Sequence, residues 1–155
     1  EDYCDEHPYG EADLSLSFSS VELDMKVGYK ELIERAEANI ESISIDQAEA
    51  LLGDENTVFV DIRDIRELQR EGKLPGATHA PRGMLEFWVD PESPYHRELF
   101  AEDKKFIFYC ASAWRSALAT DTVQSMGMDN VCHMAGRFNA WKEAGKHIEK
   151  LAPKS

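Results

Sequence analysis

The stretch Cys-Ala-Ser-Ala-Trp-Arg-Ser at 110–116 is the feature that most constrains how this chain can fold. It directly follows the apolar run Phe-Ile-Phe-Tyr at 106–109, which is typical of a strand buried on both faces of a parallel sheet. Apolar residues then recur at helical spacing up to Met126, and Gly127 is suited to end a helix. The pattern therefore predicts a strand, a short loop and a helix that are joined at Cys110.

This junction has a chemical consequence for the cysteine. The loop and the helix start leave backbone N–H groups without intrahelical partners, and the helix dipole adds positive potential at the same end. Both effects favour the ionised form of a thiol, which is the form that acts as a nucleophile. The sequence therefore predicts that the sulfur of Cys110 lies in an anion-stabilising site.

The rest of the chain alternates between strand and helix patterns. Short apolar runs predict strands at 43–45, 57–61, 77–80, 105–110 and 131–134. Helices are predicted from an Asp46 cap through Leu52, over 63–71, from the loop to Met126, and over 138–143. This alternation indicates an α/β domain with a mostly parallel central sheet flanked by helices. Cys110 is expected at the carboxyl edge of the sheet, where such folds bind ligands.

The first 41 residues differ in character from the rest. Residues 1–24 contain eight acidic residues and no Lys or Arg, so we expect an acidic arm that is poorly ordered. Residues 25–41 carry apolar side chains at helical spacing and predict an amphipathic helix on the outside of the domain. The main domain is expected to span 42–155.

Composition excludes several classes of function. With 17 basic against 30 acidic residues and a net charge of -13, the chain lacks the basic surface that nucleic acid requires. It has no apolar run long enough to cross a membrane. Its three cysteines form no Cys-x-x-Cys pair, so we expect neither a metal site nor a disulfide framework, and no cofactor. A reducing compartment, the cytoplasm, fits this cysteine usage best, and the oligomeric state stays open.

Several short motifs follow one another at recognisable spacings. They are Asp61-Ile62-Arg63 with Glu67, the turn Gly-Lys-Leu-Pro-Gly-Ala at 72–77 with His79, the Cys-x4-Arg loop at 110–115, and Gly136 with Trp141. In combination they resemble the rhodanese-like sulfurtransferase domain, and the resemblance covers roughly 42–151. It implies a three-layer domain with the cysteine loop at its active site.

The resemblance implies a covalent, two-step sulfur transfer. Cys110 would take a sulfane sulfur from a small anionic donor such as thiosulfate or 3-mercaptopyruvate, hold it as a persulfide, and pass it to a small thiol or a protein cysteine. Arg115 would orient the donor. The N–H groups that cup the sulfur would come from Ala111, Ser112, Ala113, Trp114, Arg115 and Ser116, and the supporting residues would be Asp61, Arg63 and Glu67.

Two other functions stay open. Cysteine phosphatases use Cys-x5-Arg, one residue longer, so the six residues from Cys110 to Arg115 leave little space for a phosphoryl group and disfavour phosphatase or arsenate reductase chemistry. A non-catalytic binding or regulatory module is the stronger alternative. It is supported by Ala113, where the family often has Gly, and by the presence of only one basic loop residue. The family's Gly-Gly pair before the last helix is assigned here to Ala135-Gly136.

Some of these residues also have purely structural interpretations. Asp61 is expected to brace a turn, and Arg63 with Glu67 is expected to form an i,i+4 pair on a helix. Trp114 either walls the pocket mouth or packs on the irregular segment 82–103, whose aromatics predict short helices over an apolar surface. Cys132 is expected to be an inert core residue. His79 and His133 have no evident partner in the sequence.

Overall fold

The computed structural model describes residues 24–152, in which five parallel strands form a single sheet. The strands are β1 (Ser42–Ile43), β2 (Thr57–Asp61), β3 (Thr78–His79), β4 (Lys105–Tyr109) and β5 (Val131–Met134). Their order across the sheet is β1-β5-β4-β2-β3, and every pairing is parallel. β4 lies in the middle, between β5 and β2, so the residues that follow it emerge at the centre of the carboxyl edge.

Helices cover both faces of this sheet. They are α1 (Tyr29–Asn39), α2 (Ile45–Ala50), α3 (Ile65–Glu71), α4 (Leu85–Val89), α5 (Trp114–Ser125) and α6 (Arg137–Glu143), with 3-10 turns at Arg82–Met84 and Glu98–Ala101. Successive side chains of a strand point to opposite faces. Phe106 and Phe108 of β4 accordingly pack with α4 and α5, whereas Ile107 and Tyr109 pack with α2 and α6. The predicted three-layer α/β fold is confirmed.

The first strand and helix differ in detail from their prediction. β1 is only Ser42–Ile43, and the N-cap of α2 is Ser44, so the predicted cap at Asp46 is wrong. Ser44 Oγ accepts from the Gln47 N–H at 3.1 Å, and Gln47 Oε1 accepts from the Ser44 N–H at 2.8 Å. This reciprocal capping box satisfies two backbone donors, which Asp46 inside the helix could not do.

The segment 82–103 forms short helices, as predicted. The 3-10 turn Arg82–Met84, helix α4 and the 3-10 turn Glu98–Ala101 bring Leu85, Val89 and Phe100 into the core, where the Phe100 ring lies 5.5 Å from that of Phe106. Phe87 and Tyr95 stay exposed. The aromatic density of this segment therefore covers the sheet only in part. Among residues 24–152, no helix has the length and apolar character needed to cross a membrane.

Helix α1 packs on α5. It begins at Tyr29, after Gly28, rather than at the predicted Met25, which is exposed and lies outside the helix. Its apolar stripe places Ile33 and Ala36 in the interior, as the amphipathic pattern predicts. The acidic arm is predicted for 1–24, and residues 1–23 lie outside the described part of the chain.

We expect Ile33→Ala to lower the free energy of unfolding by about 2 kcal/mol, because it removes buried methyl groups at the α1–α5 contact. Leu32→Ala is the matched control. Leu32 is the preceding residue on the same helix but is exposed, so we expect a change of less than about 0.5 kcal/mol. Urea unfolding of both variants measures the difference, and equal losses would contradict the assignment of a buried and an exposed face to α1.

Candidate active site

Cys110 directly follows β4 at the carboxyl edge of the sheet and is buried. The backbone N–H of Ser116 donates to its Sγ at 3.3 Å, and Sγ lies 3.6 Å from the Ser116 hydroxyl. The six-residue loop therefore curls back so that the start of α5 contacts the sulfur. This is the junction of strand, loop and helix that the sequence predicts.

The loop between Cys110 and Ser116 presents a set of free backbone donors. Within residues 24–152, the N–H groups of Ala111, Ser112, Ala113, Trp114 and Arg115 have no hydrogen-bond acceptor. Among the backbone N–H groups of residues 24–152, only that of Ser116 donates to Sγ itself, and the other five belong to the loop that precedes it. Successive unsatisfied N–H groups of this kind bind anions.

Ala113 is the N-cap of α5 and has a left-handed backbone, with φ of 73°. A non-glycine residue pays about 1 kcal/mol for this conformation because its Cβ crowds the backbone. The positive φ lies at the position where the family often has Gly. The loop therefore contains Ala113 in a strained backbone conformation.

We therefore expect Ala113→Gly to raise the free energy of unfolding by up to about 1 kcal/mol, because glycine adopts a positive φ without strain. Ala111→Gly is the matched control in the same loop, since Ala111 has no positive φ and gains nothing from the substitution. Thermal unfolding of the two variants measures the difference. A loss of stability in Ala113→Gly as large as in Ala111→Gly would contradict strain at Ala113.

The start of α6 holds the loop from the other side. The Phe138 N–H donates to the Cys110 carbonyl at 3.0 Å, and the Asn139 N–H donates to the Ala111 carbonyl at 3.3 Å. The residue that enters this helix with a positive φ is Arg137, at 62°, whereas Gly136 has φ of -68°. The residue with a glycine-like backbone is therefore Arg137, which directly follows the predicted Ala135-Gly136 pair.

The basic residue of the loop, Arg115, is bound by a carboxylate. Its Nη1 donates to Glu67 Oε2 at 2.8 Å and its Nη2 donates to Glu67 Oε1 at 3.1 Å. Glu67 also accepts from the Asp64 N–H and so completes the capping box of α3. The hydrogen bonds from Arg115 lower the pKa of Glu67, and the same bonds, with a smaller contribution from the charge of Cys110, raise the pKa of Arg115. Glu67 thus fixes the guanidinium beside the loop.

The predicted pairing of Arg63 with Glu67 is wrong. α3 begins at Ile65, so Arg63 precedes the helix, and it is fully buried against Asp61 instead. Arg63 Nε donates to Asp61 Oδ1 at 2.9 Å, and Nη2 donates both to Oδ2 and to the Gly72 carbonyl, each at 2.7 Å. Burial lowers the pKa of Arg63, but the hydrogen bond and charge of Asp61 outweigh it and raise that pKa overall.

The Asp61–Arg63 pair links three parts of the structure. Asp61 Oδ1 accepts from the Arg63 N–H at 3.0 Å, which braces the turn after β2 as predicted. The guanidinium lies 4.0 Å from the centre of the Phe138 ring, so it also packs under α6. Through these contacts Arg63 connects the end of β2, the end of α3 and the helix that holds the cysteine loop.

Trp114 packs on an element that the sequence left out of consideration. Its ring lies 5.1 Å from that of Tyr29 on α1. Both rings are about half exposed. With Lys30, Ile33 and Glu34 they line a shallow groove beside the cysteine loop.

Two histidines and a second cysteine have environments that the sequence did not reveal. His79 Nε2 lies 2.7 Å from the Arg63 carbonyl, and His133 Nδ1 lies 3.0 Å from the Ser116 hydroxyl. Both partners are distant in sequence, and the only available signal for His133 was a polar residue within an apolar strand. Cys132 is a buried core residue, as predicted, and burial raises the pKa of its thiol to about 11.

Burial lowers the pKa of His133 to about 4, against an ordinary value of 6.5. Between these values the unfolded chain binds a proton that the folded protein does not, so stability falls as the pH is lowered from 6.5 to 4. We expect His133 alone to account for a loss of about 3 kcal/mol over this range. Urea unfolding at several pH values checks this. In His133→Asn, which cannot titrate, the decline should be shallower, and identical slopes would contradict a buried neutral His133.

Together the sheet, the loop and the cysteine define a class of protein: an α/β domain with a buried thiol in an anion-binding loop at the carboxyl edge. The family model of the rhodanese-like domain matches residues 44–144. The chain belongs to this family, which confirms the resemblance drawn from its motifs.

Several known proteins are similar to the chain. A Rhodopseudomonas palustris protein of unknown function, described as a possible tyrosine phosphatase, is 48% identical, with a TM-score of 0.81 over 84% of this chain and 100% of that one. The human single-domain sulfurtransferase TSTD1 is 26% identical, with a TM-score of 0.55 over 66% of this chain and 95% of that one. A mouse thiosulfate sulfurtransferase/rhodanese-like domain-containing protein 3 is 25% identical over 64% of this chain and 66% of its own length. The family match and the human and mouse relatives support a sulfurtransferase-type enzyme.

Proposed function

We propose that the protein transfers a sulfane sulfur from a small anionic donor to a thiol or other nucleophilic acceptor through a persulfide on Cys110. The observation that carries the proposal is the loop itself. Its sulfur accepts an N–H bond from Ser116, and five further loop N–H groups have no acceptor within residues 24–152. Such a site stabilises a negatively charged sulfur without rearrangement. The similarity to the human and mouse proteins supports the same activity.

The transfer would run in two balanced displacements. In the first, the Cys110 thiolate attacks the outer sulfur of the donor, a new S–S bond forms, and the old bond breaks with its electron pair leaving on sulfite if the donor is thiosulfate. In the second, an acceptor thiolate attacks the same sulfur and the Cys110 thiolate departs. The free N–H groups of the loop would stabilise the charge on the outer sulfur between the two steps.

Arg115 would bind the anionic part of the donor, but it is not free to do so without competition. Its guanidinium is held by both oxygens of Glu67, so part of its charge is already neutralised. A donor would use the remaining N–H groups or displace Glu67. We therefore propose that Glu67 orients Arg115 and that Asp61 and Arg63 support the loop from beneath.

Mass spectrometry of the purified protein tests the proposal. We would incubate it with thiosulfate and, separately, with 3-mercaptopyruvate, and map the peptide that contains Cys110. The expected result is one added sulfur on Cys110, which disappears when a small thiol such as glutathione is supplied. If no donor leaves a sulfur on Cys110 in the folded protein, the proposal is wrong. The acceptor, the oligomeric state and location in the cytoplasm stay predictions.

A cysteine phosphatase is the second candidate, because the Rhodopseudomonas relative is described as a possible tyrosine phosphatase. The six residues from Cys110 to Arg115 count against it, since a phosphoryl group needs a wider loop, and Glu67 occupies the guanidinium that a phosphate would require. Hydrolysis of an aryl phosphate that is lost in Cys110→Ser would favour this candidate. A folded protein that shows neither reaction would favour the binding or regulatory module, the alternative that the strained Ala113 supports.

A further inference from the structure

We propose that His133 is a positioning residue that acts through Ser116 on the sulfur of Cys110. This inference deepens the proposed function, because it names what holds the nucleophile in its reactive form. Three buried side chains carry it, one from the loop after β4, one from α5 and one from β5.

The three polar atoms form a continuous chain. His133 Nδ1 lies 3.0 Å from Ser116 Oγ, and Ser116 Oγ lies 3.6 Å from Cys110 Sγ. The backbone N–H of Ser116 donates to the same sulfur at 3.3 Å. This bond holds Ser116 in place, so that its hydroxyl also lies beside the sulfur. The position of His133 is fixed in turn by the sheet, where it lies opposite Ser42 of β1 and Phe108 of β4. Each member of the chain is thus held by the fold.

The role of His133 depends on which atom accepts the single hydroxyl hydrogen of Ser116. Ser116 has one hydroxyl hydrogen and three neighbours that could accept it: the Ala113 carbonyl at 3.3 Å, His133 Nδ1 and the sulfur. If Nδ1 is unprotonated, it takes this hydrogen and the sulfur loses the donor. If Nδ1 carries the proton, it donates to Ser116 Oγ and leaves the hydroxyl hydrogen for the Ala113 carbonyl or a Cys110 thiolate, of which the charged thiolate is the stronger acceptor. His133 therefore determines which way the serine hydroxyl points.

The surroundings of His133 favour the second arrangement. Its other nitrogen, Nε2, is buried and has no hydrogen-bond partner within residues 24–152. A proton on Nε2 would be a buried donor without an acceptor, which proteins avoid more strictly than an unused acceptor. An imidazolium would carry the same unsatisfied donor together with a buried charge. The neutral ring with its proton on Nδ1 is the form that this site accommodates.

Nitrogen-15 NMR of the unaltered protein tests the tautomer directly. The proposal predicts that the Nδ1 of His133 is protonated and that Nε2 is not, at neutral pH. The opposite tautomer would overturn it. This measurement requires no substitution, so it does not depend on whether any variant folds.

Variants test the effect on the sulfur. We would measure the rate at which iodoacetamide alkylates Cys110 at neutral pH, by peptide mapping, together with the ultraviolet absorbance of the thiolate. Ser116→Ala removes the hydroxyl itself, whereas His133→Leu removes the Nδ1 donor that turns the hydroxyl towards the sulfur and lets it bond the Ala113 carbonyl instead. We expect about a tenfold fall in rate in each variant, with no further fall in the double variant. His133→Asn keeps a side-chain donor near the position of Nδ1 and should restore most of the rate.

The outcomes separate this inference from the proposed function. Wild-type alkylation in folded His133→Leu, or equal losses in His133→Leu and His133→Asn, would contradict a positioning role for His133. Neither alkylation nor the tautomer involves a sulfur donor. A protein that forms no persulfide could therefore still show the predicted coupling, and a protein that forms one could lack it.

Discussion

Cys110→Ser is expected to abolish sulfur transfer, with a fall in turnover on the order of a thousandfold or more. A serine hydroxyl is not ionised at neutral pH, and it cannot form the S–S bond that holds the transferred sulfur. The loop around it should stay folded, because serine is nearly the same size and Ser116 can still donate to its oxygen. Steady-state turnover with thiosulfate and a thiol acceptor, together with peptide mapping, measures the loss.

Cys132→Ala is the matched control, because Cys132 is also a buried cysteine and lies on β5, the strand next to β4, in a different environment. Cys132 lies on β5 among the apolar side chains that pack with α2 and α6, and burial keeps its thiol protonated by raising its pKa to about 11. We expect turnover in Cys132→Ala to stay within about twofold of the wild type. Persistent persulfide formation in Cys110→Ser, on Cys132 or elsewhere, would show that the nucleophile has been misassigned.

Arg63→Met is expected to lower the free energy of unfolding by about 3–5 kcal/mol. The substitution keeps an apolar side chain of similar length but leaves the Asp61 carboxylate buried without its partner, and it removes the donor to the Gly72 carbonyl. Loss of a buried charge's partner is among the most destabilising single changes. Urea unfolding monitored by circular dichroism measures it.

The chain supplies a matched control for this prediction in the next three residues. Asp64 and Arg66 repeat the Asp-x-Arg spacing and the same side-chain contact, with Arg66 Nε donating to Asp64 Oδ1 at 2.9 Å, but this pair is exposed. We expect Arg66→Met to lower the free energy of unfolding far less than Arg63→Met does, because solvent screens an exposed ion pair. Similar losses in the two variants would mean that burial does not set the contribution of the Asp61–Arg63 pair.

The fold was predictable from the sequence because a parallel sheet covered by helices requires characteristic local patterns of apolar residues. A strand buried on both faces must be apolar along its whole length, as 106–109 is, and a helix that follows needs a period of 3.6. These constraints located β2, β4, β5 and the helices between them. Element ends were less predictable, since Ser44 and Asp46 are both acceptable caps and only the reciprocal bond with Gln47 distinguishes them.

The partners of the site residues were not predictable in the same way. The loop was located because a cysteine after an apolar run is a local signal. The bond between Arg115 and Glu67 joins residues 48 positions apart, and that between Ser116 and His133 joins residues 17 apart. The i,i+4 rule assigned Glu67 to Arg63 because it assumes both lie on a helix, whereas Asp64 caps α3 after Arg63. Long-range pairs of this kind depend on how elements pack, which no local pattern contains.

Helix α1 has a consequence for where the protein can be divided. The family match begins at residue 44, yet Ile33 and Ala36 of α1 are buried and the Tyr29 ring packs at a tilt against Trp114 at the start of α5. A fragment trimmed to the family boundary would leave an apolar strip of α5 open to solvent and would remove the neighbour of a residue in the cysteine loop. The folded domain therefore includes α1 and β1 as well as the residues that the family model matches. Of these two elements, α1 borders the site where the chemistry is proposed.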